Sequence, residues 1–243
     1  MLLKYINLLA FGLMIYMNYL ANALPINNKT TGQISAEYPN LFAPAGITFS
    51  IWGVIYLLLL VFVVMQFREQ NKTIIQAIGW TFVISSLLNS LWILAWHYQQ
   101  LPLSVLIILG MLAALIIINL RLMEFGPGLT QAAFGIYLGW ICIAVIANIT
   151  AMLVNFNWGG WGVSHEAWTI VMIVAGAALT GLAVFKLDNP FIGLAVIWAF
   201  AGIILKRTAD FPSIVTAAAA GIAVMSLITL YVFYRQFSAN QIT

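Results

Sequence analysis

Few side chains in this chain can exchange a proton, hold a metal or attack a substrate: two histidines, one cysteine and six acidic residues among 243. His97 and His165 stand far apart, and neither has a neighbour completing a set of nucleophile, base and oxyanion donor. Glu166 follows His165 at the expected start of a helix, where the positive end of the helix favours an acid by about 0.3–1 kcal/mol. Axial ligation of a haem iron by either histidine requires burial, and both fall near expected helix ends. Cys142 lies inside an apolar run, which leaves neither a disulfide framework nor a cysteine metal site and suits simple packing. Glu37, Glu69, Glu124, Glu166, Asp188 and Asp210 all fall in loops or at helix ends, away from the mid-membrane positions that proton-coupled transport uses. The expectation is a protein that is not an enzyme, binds no metal and requires no cofactor.

The informative polar groups are amides and indoles within apolar runs. Ser85, Asn89, Trp92 and Trp96 are spaced i, i+4, i+7 and i+11, a single helical stripe with an amide at its middle. Tyr137, Ile141, Ala144 and Asn148 form a second stripe with Trp140 at its edge. Phe49, Trp52 and Tyr56 form a third, following Pro44, which the sequence places in the first turn of a helix because proline is tolerated there. Such faces look either into a neighbouring helix or into a ligand. Asn89 and Asn148 accordingly either hydrogen-bond to adjacent helices, with the tryptophans as interfacial anchors, or orient a bound molecule.

The elements that carry these stripes are membrane helices. Hydrophobic residues make up 64% of the chain and charged residues 6%, with a mean hydropathy of +1.05, which excludes an ordinary soluble domain. At about twenty residues per span, apolar runs fall near 3–24, 45–67, 75–98, 102–123, 131–154, 167–185, 190–205 and 213–234. The reading is an all-α integral membrane protein, a polytopic bundle of about eight transmembrane helices, with the seventh span short. Lys4, the run from Tyr5 to Leu20 and Ala21-Asn22-Ala23 also fit a signal peptide, but this segment is taken as the first membrane helix.

Eight spans place both termini on one side. Lys4, Arg68, Lys72, Arg121, Lys186 and Arg235 then oppose Lys29, Lys206 and Arg207, and the richer set marks the cytoplasm. The net charge of +3 is scattered between runs rather than patched, so nucleic acid is not an expected partner. One connection is long, Pro25 to Ala43, a candidate lid. Small residues in the last three runs, including Ala175-Gly176-Ala177 and Ala217 to Gly221, suit close helix packing in a scaffold or an oligomer.

Three of these runs together resemble the tryptophan-rich sensory protein family, whose animal members are the translocator protein or peripheral benzodiazepine receptor. Pro44 and Ile51-Trp52-Gly53-Val54-Ile55-Tyr56 match its second helix, Leu88-Asn89-Ser90-Leu91-Trp92 and the turn His97 to Pro102 its third, and Tyr137-Leu138-Gly139-Trp140, Ala144 and Asn148 its fifth. Phe42, Ala43, Ser50 and Ile136 stand where the family pattern has a tryptophan and three prolines. The resemblance covers residues 1–157 and implies a five-helix domain there; it says nothing of residues 158–243, which the apolar runs make a three-helix membrane extension. It implies a pocket, opening toward the first long loop, for a flat hydrophobic ligand: a porphyrin or other tetrapyrrole, a sterol or another lipid. Its expected ligand-binding residues are Phe42, Pro44, Phe49, Trp52, Tyr56, Asn89, Trp92, Trp96, Tyr137, Trp140 and Asn148. Indole and phenol faces suit such ligands, since offset stacking contributes about 0.5–1.5 kcal/mol beyond area burial. The expected location is a bacterial inner membrane with both termini cytoplasmic. The alternative is a structural partner in a homo-oligomer or membrane-protein complex.

Overall fold

The computed structural model describes residues 2–24 and 26–239, and all regular structure among them is helical. Each apolar run becomes helix: α1 (Leu2–Asn22), α3 (Ile51–Met65), α4 (Lys72–Ile78) with α5 (Thr81–His97), α6 (Leu101–Leu122), α7 (Leu129–Asn155), α8 (His165–Lys186), α9 (Phe191–Arg207) and α10 (Pro212–Ala239). A further helix, α2 (Thr31–Glu37), lies in the long connection, whose expected first residue, Pro25, falls outside the described residues.

Five helices are long and apolar enough to cross a membrane, Gly46–Met65, Leu101–Phe125, Leu129–Asn155, His165–Lys186 and Pro212–Ser238, and α4 with α5 make a sixth, bent span. The other two long elements differ for physical reasons. α9 has 17 residues, a rise of about 26 Å against a hydrocarbon core of about 30 Å. α1 carries Asn7, Asn18 and Asn22 along its length, and these amides lower its apolarity.

Two sequence expectations are corrected by backbone geometry. The third run is not one straight helix: it breaks at Gly79, where φ is +58°, and its halves meet at 63°. The Ile78 carbonyl, left free by the break, accepts from Arg121 Nη1 at 2.9 Å, and the same nitrogen donates to Thr81 Oγ1 at 2.8 Å. Pro44 does not occupy a first helical turn. It precedes a 3-10 turn, Gly46–Ser50, that leads into α3 at Ile51.

α7 is the centre of the bundle, packing against α6, α3 and α9, while α1 and α6 flank α5 and α8 and α9 flank α10. The α7–α9 approach is close because Gly135 and Gly139 lack side chains: a β-carbon on Gly139 would strike the Ile192 carbonyl, and one on Gly135 the Asn189 amide. Asn189 is held there by donating to Asn119 Oδ1 at 2.7 Å and to the Gln131 carbonyl at 2.9 Å. Small residues of the last helices likewise serve contacts within the chain, Gly193 against Thr229 and Gly221 against Phe200. Packing thus runs across the expected boundary at residues 157 and 158.

The hydrogen bonds also sort the charges between the two ends of the bundle. At one end Gln66 donates to the Lys4 carbonyl, and Gln131 and Gln236 to the Asp188 carbonyl, with Arg235 paired to Asp188. At the other lie the Lys29–Glu37 pair, His97 and the Lys206–Arg207 end of α9.

Candidate functional site

The stripe on α3 looks at protein. Trp52 stacks on Tyr56 with centroids 5.4 Å apart, and meets Tyr137 and Trp140 edge-on at 5.8 and 6.2 Å. Phe49 meets Trp140 at 5.8 Å. α3 therefore presents its aromatics to α7, in the edge-to-face and offset geometries that ring quadrupoles favour.

Beneath these rings, four helices share one polar chain. Asn18 on α1 donates to Asn89 Oδ1 at 2.8 Å, Asn89 donates to the Tyr137 hydroxyl at 2.8 Å, and that hydroxyl donates to Met111 Sδ at 3.0 Å. A second chain runs from Trp92 Nε1 to Asn148 Oδ1 and from Asn148 Nδ2 to Ser104 Oγ, each at 2.8 Å. Asn89 and Asn148 are thus committed to side chains of neighbouring helices, which is what keeps an amide tolerable at this depth.

Above the rings lies α2. It forms because Thr30 and Gln33 make a capping box: Thr30 Oγ1 accepts from Gln33 N at 3.3 Å, and Gln33 Oε1 accepts from Thr30 N at 2.8 Å. Thr31 then sits 3.1 Å from His97 Nε2, while His97 Nδ1 lies 3.1 Å from the Ile26 carbonyl. A carbonyl only accepts, so Nδ1 carries the proton. Trp96 Nε1 donates to the Thr31 carbonyl at 3.3 Å. His97, without an evident partner in sequence, is fully buried, because its partners come from a loop some seventy residues earlier.

The segment after α2 is fastened by α9. Arg207 donates through Nη2 to the Asn40 carbonyl at 2.6 Å and through Nε to the Leu41 carbonyl at 3.0 Å. Ala45 N donates to the Gly202 carbonyl at 3.0 Å, and Trp198 Nε1 to the Thr48 carbonyl at 2.8 Å. Nearby, burial and then the charge of Glu37 push the Tyr38 phenol above its ordinary range, with Lys29 opposing.

Between these layers is a narrow aromatic cleft. Seven of the eleven expected residues line it, Pro44, Phe49, Trp52, Trp92, Trp96, Trp140 and Asn148, with Thr31, Ser35, Asn40 and Ala43 on the loop side. The remaining four do not. Phe42 is fully buried in the core, Tyr56 lies behind Trp52, and Asn89 and Tyr137 belong to the polar chain below. The cleft volume is about 40 Å³, room for a few waters at about 10–15 Å³ each and far below the roughly 300–1,000 Å³ of drug-sized sites. Trp140 is 3% exposed, yet its Nε1–H has no hydrogen-bond partner in the protein. The Tyr56 hydroxyl is similarly buried and unpartnered.

The cleft adjoins a larger space through Ser35, Asn40 and Ala43, which line both. This vestibule, about 890 Å³, is bounded by the α7–α8 connection and the end of α9, with Trp158, Trp168, His165, Glu166, Lys206 and Arg207 in its walls. Sequence reasoning missed it. Its walls come from segments more than a hundred residues apart, and only the adjacent cations Lys206-Arg207 and the cluster of Trp158, Trp161 and Trp168 signal it locally.

No curated protein and no solved structure matches the chain. The sequence model of the family described as TSPO-like protein matches residues 4–231, from α1 into α10. It therefore extends beyond the five helices that the motifs cover, through α8 and α9, where the loop-fastening residues lie. The chain belongs to the TSPO-like family, and with its apolar helices it is an integral membrane protein.

Proposed function

We propose that this protein binds a flat hydrophobic molecule, of the tetrapyrrole, sterol or lipid class, in the aromatic cleft under α2, and senses or moves it within the membrane. The observation that carries the reading is the Trp140 indole N–H. It is buried in the cleft wall without a protein acceptor, while the indoles beside it, Trp92 and Trp96, both donate to protein. An unpaired buried donor costs about 1–3 kcal/mol, and a ligand acceptor would remove that cost. The rings of Trp52, Trp92, Trp96 and Trp140 supply flat apolar surface of the same character as the ligand. Residues 38–45 must shift for such a ligand to enter, given the volume of the cleft. No catalytic role is proposed, and the end carrying Lys4, Arg121 and Arg235 is proposed to face the cytoplasm.

Protoporphyrin IX titrated into the purified protein tests this, read from the shift of the porphyrin Soret band. Saturable binding is expected, weakened at least about twofold to tenfold by Trp140→Phe, which keeps an aromatic face but loses the indole N–H and a hydrogen bond contributing about 0.5–1.5 kcal/mol. Unsaturable binding, or binding unchanged in a Trp52→Phe, Trp92→Phe, Trp140→Phe triple variant, refutes the reading.

A further inference from the structure

The vestibule wall holds two cations, Lys206 and Arg207, against one carboxylate, Glu166. Lys206 and Arg207, in the last turn of α9, share its wall with His165 and Glu166. Among the described residues, neither cation forms an ion pair. The Glu166 carboxylate accepts from the Ser213 hydroxyl, which leaves its negative charge in the wall, and Asp210, outside the lining, acts on Arg207 through space, so Lys206 is the cation left to account for. Arg207 has a structural task, since two of its nitrogens hold the Asn40 and Leu41 carbonyls. Lys206 has none of comparable strength. Its ammonium offers three donors, and the acceptor in reach is the Pro44 carbonyl at 3.5 Å. A cation near a helix C-terminus is favoured by the helix dipole. The dipole does not explain why the charge stands on the wall of an 890 Å³ cavity that adjoins the aromatic cleft across Ser35, Asn40 and Ala43.

The composition of the two spaces is complementary. The cleft offers four indole rings and a phenyl ring, and the vestibule offers cations set beside the loop residues that separate it from the cleft. Together they fit a molecule with an apolar flat body and an anionic end. We propose that the vestibule is the site for the oxyanion end of an amphiphilic ligand, with Lys206 as its counter-charge and Arg207 holding the loop that both spaces share. This rests on the cleft reading above. It narrows the ligand class to amphiphiles whose polar end is a carboxylate or a phosphate, supplied either by a ring ligand or by a lipid headgroup.

The test compares protoporphyrin IX, which carries two carboxylates, with its neutral dimethyl ester, by Soret titration of the full chain in phosphatidylcholine nanodiscs. The diacid is expected to bind wild type about tenfold more tightly than the ester. Lys206→Gln should reduce that preference to about twofold, and Lys206→Arg should restore it. Lys206 is exposed at the cavity wall, so neither change disturbs the core. Repeating the titration with phosphatidylglycerol in the nanodisc separates the sources. Competition against the diacid in wild type but not in Lys206→Gln assigns the site to a lipid phosphate as well, and its absence assigns the site to the ring carboxylate. Equal diacid preference in wild type and Lys206→Gln overturns the anchor and leaves the cleft standing. Saturable binding of neither ring overturns both.

Discussion

Gly202→Ala is a sharp probe of the claim that α9 holds the start of α3 in place. A β-carbon on Gly202 would lie 2.9 Å from Thr48 Cβ and closer still to Thr48 Oγ1 and Cγ2. Thr48 cannot step aside at little cost. It is 1% exposed, its carbonyl accepts from Trp198, and the Ala45 amide nearby is bonded to Gly202 itself. Inserting one carbon into so tight a contact costs about 1–3 kcal/mol. The displacement falls on Thr48, whose neighbour Phe49 forms the cleft wall against Trp140, so ligand affinity should fall together with stability. Thr48→Ala deletes two of the three colliding atoms. The double variant should therefore be less destabilised than the sum of the singles by about 1 kcal/mol, within the range of coupling between touching residues. Unfolding by sodium dodecyl sulfate, followed by circular dichroism, gives the four free energies of the cycle. If Gly202→Ala lies within 0.5 kcal/mol of wild type, the range typical of inconsequential surface substitutions, or if the two changes simply add, the α9–loop contact does not have the tightness argued here.

Gly193→Ala should destabilise by a similar 1–3 kcal/mol, because its β-carbon would meet Thr229 Oγ1. That hydroxyl is buried without a partner, so Thr229→Ala should restore most of the loss, and the same unfolding cycle measures it. Gly79→Ala should cost about 1–3 kcal/mol through its φ of +58°, and a stability equal to wild type would show that the bend between α4 and α5 needs no special backbone. Arg207→Ala should speed limited proteolysis within residues 38–44, since it frees the carbonyls of Asn40 and Leu41.

The membrane helices are legible from composition because lipid tolerates so few alternatives: every apolar run of membrane length became helix. The aromatic stripes were legible too, since a 3.6-residue period fixes which side chains share a face. What that period does not supply is the identity of the neighbour, and so Phe49, Trp52 and Tyr56 stayed ambiguous between protein and ligand until α7 was seen opposite them. The break at Gly79 leaves no mark in hydropathy, as apolar residues continue on both sides. The helix in the long loop did have a local signal, Thr30 and Gln33 at capping-box spacing, which the loop reading passed over. The partners of His97, and the bonds from Trp198 and Arg207 to residues 150 or more positions earlier, have no signature in one sequence. They are long-range contacts, set by how whole helices pack rather than by spacing along the chain.

Those long-range contacts also decide how the cleft can open. Its deep walls are poor candidates for movement: Trp92 and Trp140 are almost wholly buried, and the amides beneath them are paired across four helices. Separating α5 from α7 would unpair those amides within the membrane, where each unpaired group costs several kcal/mol. The loop side is different. Residues 40–45 are held to α9 by a few hydrogen bonds to backbone carbonyls, and α2 by His97 and Trp96, and broken bonds there can be replaced by water or by headgroups. Ser35, Asn40 and Ala43 are also the residues common to the cleft and the vestibule. Lifting that one segment would draw Phe42 out of the core, but it would join the 40 Å³ and 890 Å³ spaces without parting the helices. The last three helices therefore bear on binding directly, because α9 sets how firmly the segment is held.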